Sequence, residues 1–584
     1  MVILWAVIFL VTIGVGKLVV MLLGIENEAN RTLFWLGLTL VVGWLFLAHL
    51  IAPLGSAAVS APLLVAGVAG WMGSFDQVRD CRDSMKEAER SSYLIPLACL
   101  LVVALLANLA LSEPTNYDSF LYHFASIKHH SDYAAIEGIA NLHYRLGFHT
   151  ATIPLAALFD LWPFGGEGYR VINGLLLSAL VIELGGRVTE VSRDRKLKLG
   201  TAFLLLVTPV YLLVPGAADP SAMIASPSLD TGAGVTFIVA FTYFLDALTV
   251  RTSQAIAVSL LLLALAATFR QLNLVLLATA GPLLIVVGWK AGLHLRALVR
   301  PLFLTVLVTL SAAIHSTVLS GYPFYPATFP NLNLPWAHPV DEANGLRDDI
   351  TQFARGTTMD PIGLTDSLRG TLSWLESWIR NLRGSGQLPR LALLSLVSLA
   401  GAVAIAISGN RWSGLRKLAL VMFPLLVVLA FWFVSAPLIR FGLGPLAATF
   451  AAPVALALLR GRDEIRISWK GWAPSRDGFQ AAAAAFVAGL ALILFAASLL
   501  APGGGGLVKA DGSGALGSRP PVAVEVRRTV VQGGVTLSSP VYRDWCGKEL
   551  WCTPYPSSGI KLRGSELSDG LERLNPKDEK EWAN

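Results

Sequence analysis

The chain has 584 residues, of which 54% are hydrophobic and 14% charged, with a net charge of +6. Soluble domains carry about 25% charged residues, and a single core of this length could not bury so much apolar surface. Soluble enzymes, disordered chains and disulfide scaffolds are excluded, and the composition reads as a multi-pass membrane protein.

A helix that crosses a bilayer needs about 20 mostly apolar residues. Taken in chain order, such segments fall at 2–23, 32–53, 57–74, 93–112, 167–187, 199–215, 232–250, 254–269, 272–289, 301–319, 390–408, 418–435, 440–459 and 479–501. The expected fold is an all-α multi-pass membrane protein with about fourteen transmembrane helices. The first segment lacks a basic leader region and a cleavage site, so it reads as a span and not as a signal peptide. Segment 148–163 (HTATIPLAALFDLWPF) reads as a re-entrant or interfacial helix, because a further crossing there would invert the loops that follow.

Lys and Arg set the orientation, since short basic loops stay cytoplasmic. One alternate set of short loops holds 22 of the 45 Lys and Arg residues, and residues 502–584 hold another 11. Both termini then lie outside, in keeping with a bacterial inner membrane. The basic balance therefore records topology and implies no nucleic-acid partner.

The chain divides into N-terminal transmembrane hairpins (1–92), a transmembrane core (93–501) with exterior loops 113–166 and 320–389, and an extracytoplasmic α+β tail domain (502–584). The tail opens on a Gly-rich linker, and VAVEVRRTVVQGGVTLSSPVYR predicts short strands about a Gly-Gly turn. Cys546 and Cys552 are a disulfide candidate in an oxidising compartment, with two free thiols as the alternative. Cys81 and Cys99 fall on the inner side and within a span, and neither is expected to bridge.

The candidate chemistry lies in the exterior loops. Asp118 directly follows a span and shares a helical face with Tyr122, four residues on. A carboxylate there can act as a base toward a hydroxyl or bind a metal, or it can simply cap a helix. Five of the nine histidines (His123, His129, His130, His143 and His149) occupy the same loop. No pair has a metal-motif spacing, so no metal ligand is assigned. Asp230 precedes a span and is either a second site acid or an N-cap, and Asp219, before a proline, reads as a turn residue. Arg145, Arg270 and Arg440 stand out because this side is otherwise poor in basic residues. Each either binds phosphate or snorkels to head groups. Arg170 and Lys17 lie near span ends and are expected to snorkel. Tyr322, Tyr325 and Trp336 suit either stacking on a sugar or an interfacial aromatic belt.

With Asp118 in NYDSFLYH, Asp230 in SPSLD, and the stretches FRQLN, SGYPFYP, APLIRFG, CTPYP and KLRG, the chain resembles the GT-C glycosyltransferase superfamily over roughly 93–565. It looks closest to bacterial multi-pass members of that class. The resemblance implies a polyprenyl-phosphate-linked sugar donor and a glycan or lipid acceptor, with membrane lipids as the surroundings. Asp118 would be the acceptor-activating or acceptor-orienting carboxylate, and Asp230 an auxiliary acid or metal ligand. Arg270 and Arg440 would hold the donor phosphate, and Tyr122, His123, Arg145 and Tyr322 would bind substrate. NYDS replaces the Asp-Glu pair of the protein O-mannosyltransferases, a departure that counts against a protein acceptor and against dependence on a divalent metal, the one candidate cofactor. Competing readings are a flippase or transporter of lipid-linked saccharides, and a polysaccharide polymerase or ligase.

Overall fold

The computed structural model describes residues 1–25, 28–73, 93–160, 165–213, 220–356, 374–408, 411–466, 480–489, 492, 525–530, 536–541, 543–555 and 559–573. Asp219, Cys81 and the Gly-rich linker fall outside the described residues.

Among the described residues, nine helices are long and apolar enough to cross a membrane. They are Val2–Leu23, Asn30–His49, Tyr169–Asp194, Leu229–Val250, Gln271–Lys290, Leu295–Ser320, Gln387–Ala406, Trp412–Ser435 and Ile439–Leu458. Five shorter apolar helices (Ala57–Met72, Leu94–Ala110, Leu199–Tyr211, Ser253–Phe269 and Gln480–Gly489) fall on the other expected segments. At 1.5 Å per residue a 17-residue helix such as Ser253–Phe269 reaches about 26 Å, short of the ~30 Å hydrocarbon core. The protein is thus a mostly helical integral membrane protein. Segment 148–163 contains a seven-residue helix, Thr152–Leu158, buried along its whole length and too short to cross.

The helix ends sort onto two faces. Tyr169–Asp194, with 26 residues, is about 39 Å long and runs from one face to the other. At its far end Lys196–Lys198 pairs antiparallel with Glu464–Arg466, which joins two of the basic loops. Nearby, Arg187 binds Glu183 (2.6 Å) and Asp246 (2.7 Å), and Arg31 binds Glu190 (2.6 Å). At its near end lie the 113–160 segment and the C-terminal region.

That region contains strands, as expected. Val526–Val530 pairs antiparallel with Thr536–Pro540, Ile560–Leu562 pairs with Leu571–Arg573, and Cys546 is disulfide-bonded to Cys552. It packs on the first loop. Leu537, Ile560, Leu567 and Leu571 share an apolar cluster with Leu121, Tyr122 and Ala125. Gly547 N–H donates to Phe120 O (2.9 Å), and Trp545 stacks on Phe120 at 4.7 Å. Gly138, at φ 70°, lies against the Leu571 carbonyl where a side chain would not fit.

Two expected snorkelling residues do something else. Lys17 is buried with its ammonium 4.2 Å from the Trp71 ring centroid. Arg170 donates to Ser112 O (2.6 Å) and Ala110 O (3.4 Å), so it satisfies the carbonyls at the end of Leu94–Ala110. Both cations found partners within the protein, which removes any reason to reach for head groups.

Val2–Leu23, Asn30–His49 and Ala57–Met72 meet through glycines. A Cβ on Gly37 would collide with the Thr12 carbonyl, and one on Gly14 with Gly67. Close backbone approach through small residues is how helices associate in lipid, where apolar burial gives little. Gly37→Ala should therefore lower the thermal midpoint in detergent, at a cost of about 1–3 kcal/mol. Gly345→Ala, in a helix with open space at that position, should be neutral or stabilising by about 0.5–1 kcal/mol. Tryptophan-fluorescence melts of the two variants check the contrast.

Candidate active site

The site forms where helices break. Tyr117 and Asp118 follow Leu94–Ala110, and Ser119–His123 is a π-helical turn. The wider turn brings both Tyr122 and His123, four and five residues beyond Asp118, to the same cavity. Asp118 N–H donates to Asn116 Oδ1 (2.9 Å), which fixes the entry. The Asp118 side chain makes no helix cap and turns instead to arginines. Asp230 lies in the first turn of Leu229–Val250, where the helix dipole favours an anion. The N-cap position belongs to Ser228, so the capping alternative for Asp230 does not hold.

Arg270 occupies the break between Ser253–Phe269 and Gln271–Lys290, in extended conformation (φ −160°). The first loop secures this break. Ala151 N–H donates to Thr268 O (2.9 Å) and Thr150 Oγ1 to Phe269 O (3.0 Å). Asn273 Nδ2 spans to Ala266 O (3.0 Å) and Ala233 O (3.1 Å). Arg440 sits in a 3-10 turn, Ile439–Gly442, after the helix ending at Ser435. Trp432 Nε1 donates to Leu438 O across that corner (3.0 Å).

These pieces converge on one cavity of about 470 Å³. Arg440 Nη2 lies 3.0 Å from Asp118 Oδ2, and its Nε lies 3.7 Å from Asp230 Oδ2. Arg145 Nη1 lies 3.6 Å from Asp118 Oδ1, and Arg270 Nη1 donates to Asp230 Oδ1. The Arg270 guanidinium also rests 4.3 Å from the Phe441 ring centroid. Three guanidinium groups thus share two carboxylates, and one positive charge is left over.

Burial would raise the Asp118 carboxyl, but the field of Arg440, with His123 and Arg145, outweighs it and holds the group below the usual carboxylate range. Burial pushes His123 down to about 4, so it is neutral at pH 7. The first turns of Leu229–Val250 and Gln271–Lys290 both line the cavity, adding the positive ends of two helix dipoles. The arrangement is suited to an anion with a hydrogen-bonding hydroxyl beside it. It does not suit a divalent cation, because every oxygen of Asp118 and Asp230 faces a guanidinium group.

Seven of the eight expected site residues line this cavity: Asp118, Tyr122, His123, Arg145, Asp230, Arg270 and Arg440. Tyr322 does not. Its ring is fully buried and its hydroxyl donates to His338 O (2.8 Å), satisfied inside the 320–340 segment. Trp336 is likewise elsewhere, its indole N–H bonded to Thr317 O (3.2 Å). Tyr325 does line the cavity, and its buried hydroxyl has no partner among the described residues. Arg347, Gln271, Trp432 and Phe441 also line it and were not singled out from the sequence. Arg347 lies beside Asp348 and Asp349 in sequence, and these acidic neighbours hid it among the charges of its helix.

Fold and site together define a helical integral membrane protein with an anion-receptive cavity among broken helix ends on one face. The chain belongs to the family described as a domain of unknown function, DUF8201, whose model matches residues 1–447. No curated protein and no solved structure matches it. The matched span includes every cavity-lining residue.

The depressed Asp118 carboxyl has a consequence for stability. The unfolded chain takes up the proton first, so the contribution of Asp118 is complete above about pH 4 and is lost as pH falls through the lower folded value. Thermal midpoints should fall from pH 7 toward pH 3. The part between about pH 6.5 and 4 belongs to buried neutral histidines such as His123, and Asp118→Asn should flatten only the part below about pH 4.

Proposed function

We propose that the protein is a membrane glycosyltransferase of the GT-C kind, moving a sugar from a polyprenyl-phosphate donor to an acceptor hydroxyl at the extracytoplasmic face. The observation that carries this reading is the excess positive charge of three arginines around two carboxylates in a largely apolar and aromatic cavity. Excess guanidinium charge beside lipid suits a lipid-linked phosphate. The adjacent carboxylate suits an attacking hydroxyl. In this reading the chain crosses a bacterial inner membrane fourteen times, with both termini and the strand-containing region outside. The acceptor is a cell-envelope glycan or glycolipid.

Arg440 and Arg270 hold the donor phosphate, and Asp118 accepts the acceptor O–H. The bond between the anomeric carbon and the phosphate oxygen breaks, and its electron pair leaves with the phosphate. The bond from the acceptor oxygen forms on the opposite face, giving inversion, and the acceptor proton passes to Asp118. Arg440 and Arg270 stabilise the departing charge. A phosphate that engages Arg440 takes from Asp118 its nearest cation, so donor binding raises the basicity of the carboxylate. Asp230 acts through the arginines and positions both of them.

Full-length protein in detergent, given a radiolabelled polyprenyl-phosphate sugar and an envelope acceptor, tests the reading. Asp118→Asn and Asp118→Ala should lower transfer by about 10²–10⁴. Arg440→Ala should weaken both donor binding and turnover. Undiminished transfer in both Asp118 variants would sink the assignment. So would passage of the donor across proteoliposomes without a new glycosidic bond, which is the behaviour of a flippase.

A further inference from the structure

Three histidines outside the charged cavity bring their ring nitrogens within 4.8 Å of one another: His49, His130 and His315. His49 ends the Asn30–His49 helix, His130 belongs to Phe124–Asp132 in the first loop, and His315 lies near the end of Val299–Ser320. All three are buried. The His49 ring stacks on His130 with centroids 4.3 Å apart, and His49 Nδ1 is 2.7 Å from His315 Nε2.

Hydrogen-bond chemistry fixes two of the three tautomers. A backbone carbonyl can only accept, so the nitrogen facing it must carry the proton. His49 Nε2 faces Tyr133 O (3.1 Å), which leaves its Nδ1 as a lone pair. His130 Nδ1 faces Ser126 O (2.8 Å), which leaves its Nε2 as a lone pair. An imidazole whose one N–H is tied to a carbonyl while the other nitrogen is free is the arrangement metal-binding histidines adopt. His315 Nε2 meets the lone pair of His49, and its Nδ1 is buried without a partner. A single proton between His49 and His315 thus occupies the place where a cation would meet both rings.

The surroundings select the cation. A cavity of about 10 Å³, bordered by His49, His129, His130 and otherwise mostly apolar side chains such as Ile136 and Leu319, adjoins the cluster. That is roughly the room one water needs. No carboxylate lines it. Three neutral nitrogens exclude magnesium and calcium, which require oxygen ligands, and match zinc with one open position. Zn–N bonds of 2.0–2.1 Å set the nitrogens about 3.3 Å apart, so the His49–His315 pair would open slightly, and the His130 ring, now stacked on His49, would tilt inward to aim its lone pair at the same point.

We propose that His49, His130 and His315 form a zinc site of three imidazoles and one water-sized ligand. The ion would join the N-terminal helices and the Val299–Ser320 helix to the loop that carries Asp118. This gives the N-terminal helices a part in holding the cavity in place.

The test uses the full-length, tag-free protein in detergent, stripped with a chelator and reloaded with Zn²⁺. Elemental analysis should find one zinc per chain, and excess Mg²⁺ should not displace it. X-ray absorption should show three imidazoles at about 2.0–2.1 Å. His130→Ala and His315→Ala should each weaken zinc retention at least about tenfold, while exposed His294→Ala should leave it unchanged. No bound zinc, a shell with fewer than three imidazoles, or full retention in a His49/His130/His315 triple variant would each overturn the site. Should the variants fail to fold, the absorption spectrum of the unaltered protein decides.

Discussion

In a bilayer no water is available to pair a freed backbone group, so a helix can be interrupted only where protein atoms take over its broken ends. Around the cavity, protein atoms take up the freed carbonyls at several such breaks. Thr150 and Ala151 pair the carbonyls at the end of Ser253–Phe269. At the Ser435–Ile439 corner, Thr351 donates to Ser435 O, Arg355 to Val434 O and Trp378 to Pro437 O. Each interruption releases an arginine, Arg270 at the first and Arg440 at the second, to a position a continuous helix would have turned toward lipid or a neighbour.

The same condition accounts for the ion-pair pattern. Asp118, Asp230, Arg270 and Arg440 come from four distant stretches of sequence, and each is too costly to bury alone. Arg440 contacts both carboxylates, so it links the first loop to the middle of the bundle. A network of this kind adds little net stability, since desolvation offsets most of the Coulomb attraction. Its value is that the charges stand in fixed positions around a space that an anion can enter without large reorganisation.

Much of this was legible in the sequence, for an identifiable reason. Arg145 stood out as one of two basic residues in 113–166, and Arg270 and Arg440 as single basic residues at short connections between apolar segments. The helical segments were legible because the bilayer dictates their length and polarity; even the early end of Ser253–Phe269 was read at residue 269, although not the loop residues that take up its carbonyls. Choosing among neighbours was beyond the sequence. Tyr322 and Tyr325 share one aromatic stretch, and only the hydroxyl partner of Tyr322 shows which ring is withdrawn from the cavity. Lys17 and Arg170 read as snorkelling because a one-dimensional pattern cannot display Trp71 or the carbonyls of Ala110 and Ser112. Arg347 read as one charge in an acidic helix. His49, His130 and His315 formed no motif at all, because their spacing is set by the packing of three elements and not by a local turn.

The bonds between the first loop and the strand-containing region join residues at opposite ends of the chain. Tyr117 pairs with Asp544 and Asn141 with Leu571, at sequence separations of 427 and 430. Synthesis at about 5–20 residues per second leaves the loop waiting on the order of tens of seconds for these partners. Phe120, which ends up stacked on Trp545, has no such cover in that interval. The segment bearing Asp118 is therefore among the first parts of this face to emerge and the last to be closed. The cavity walls are complete by Phe441, so what comes last is the outer cover of the loop, when the Cys546–Cys552 segment is laid over the π-helical turn.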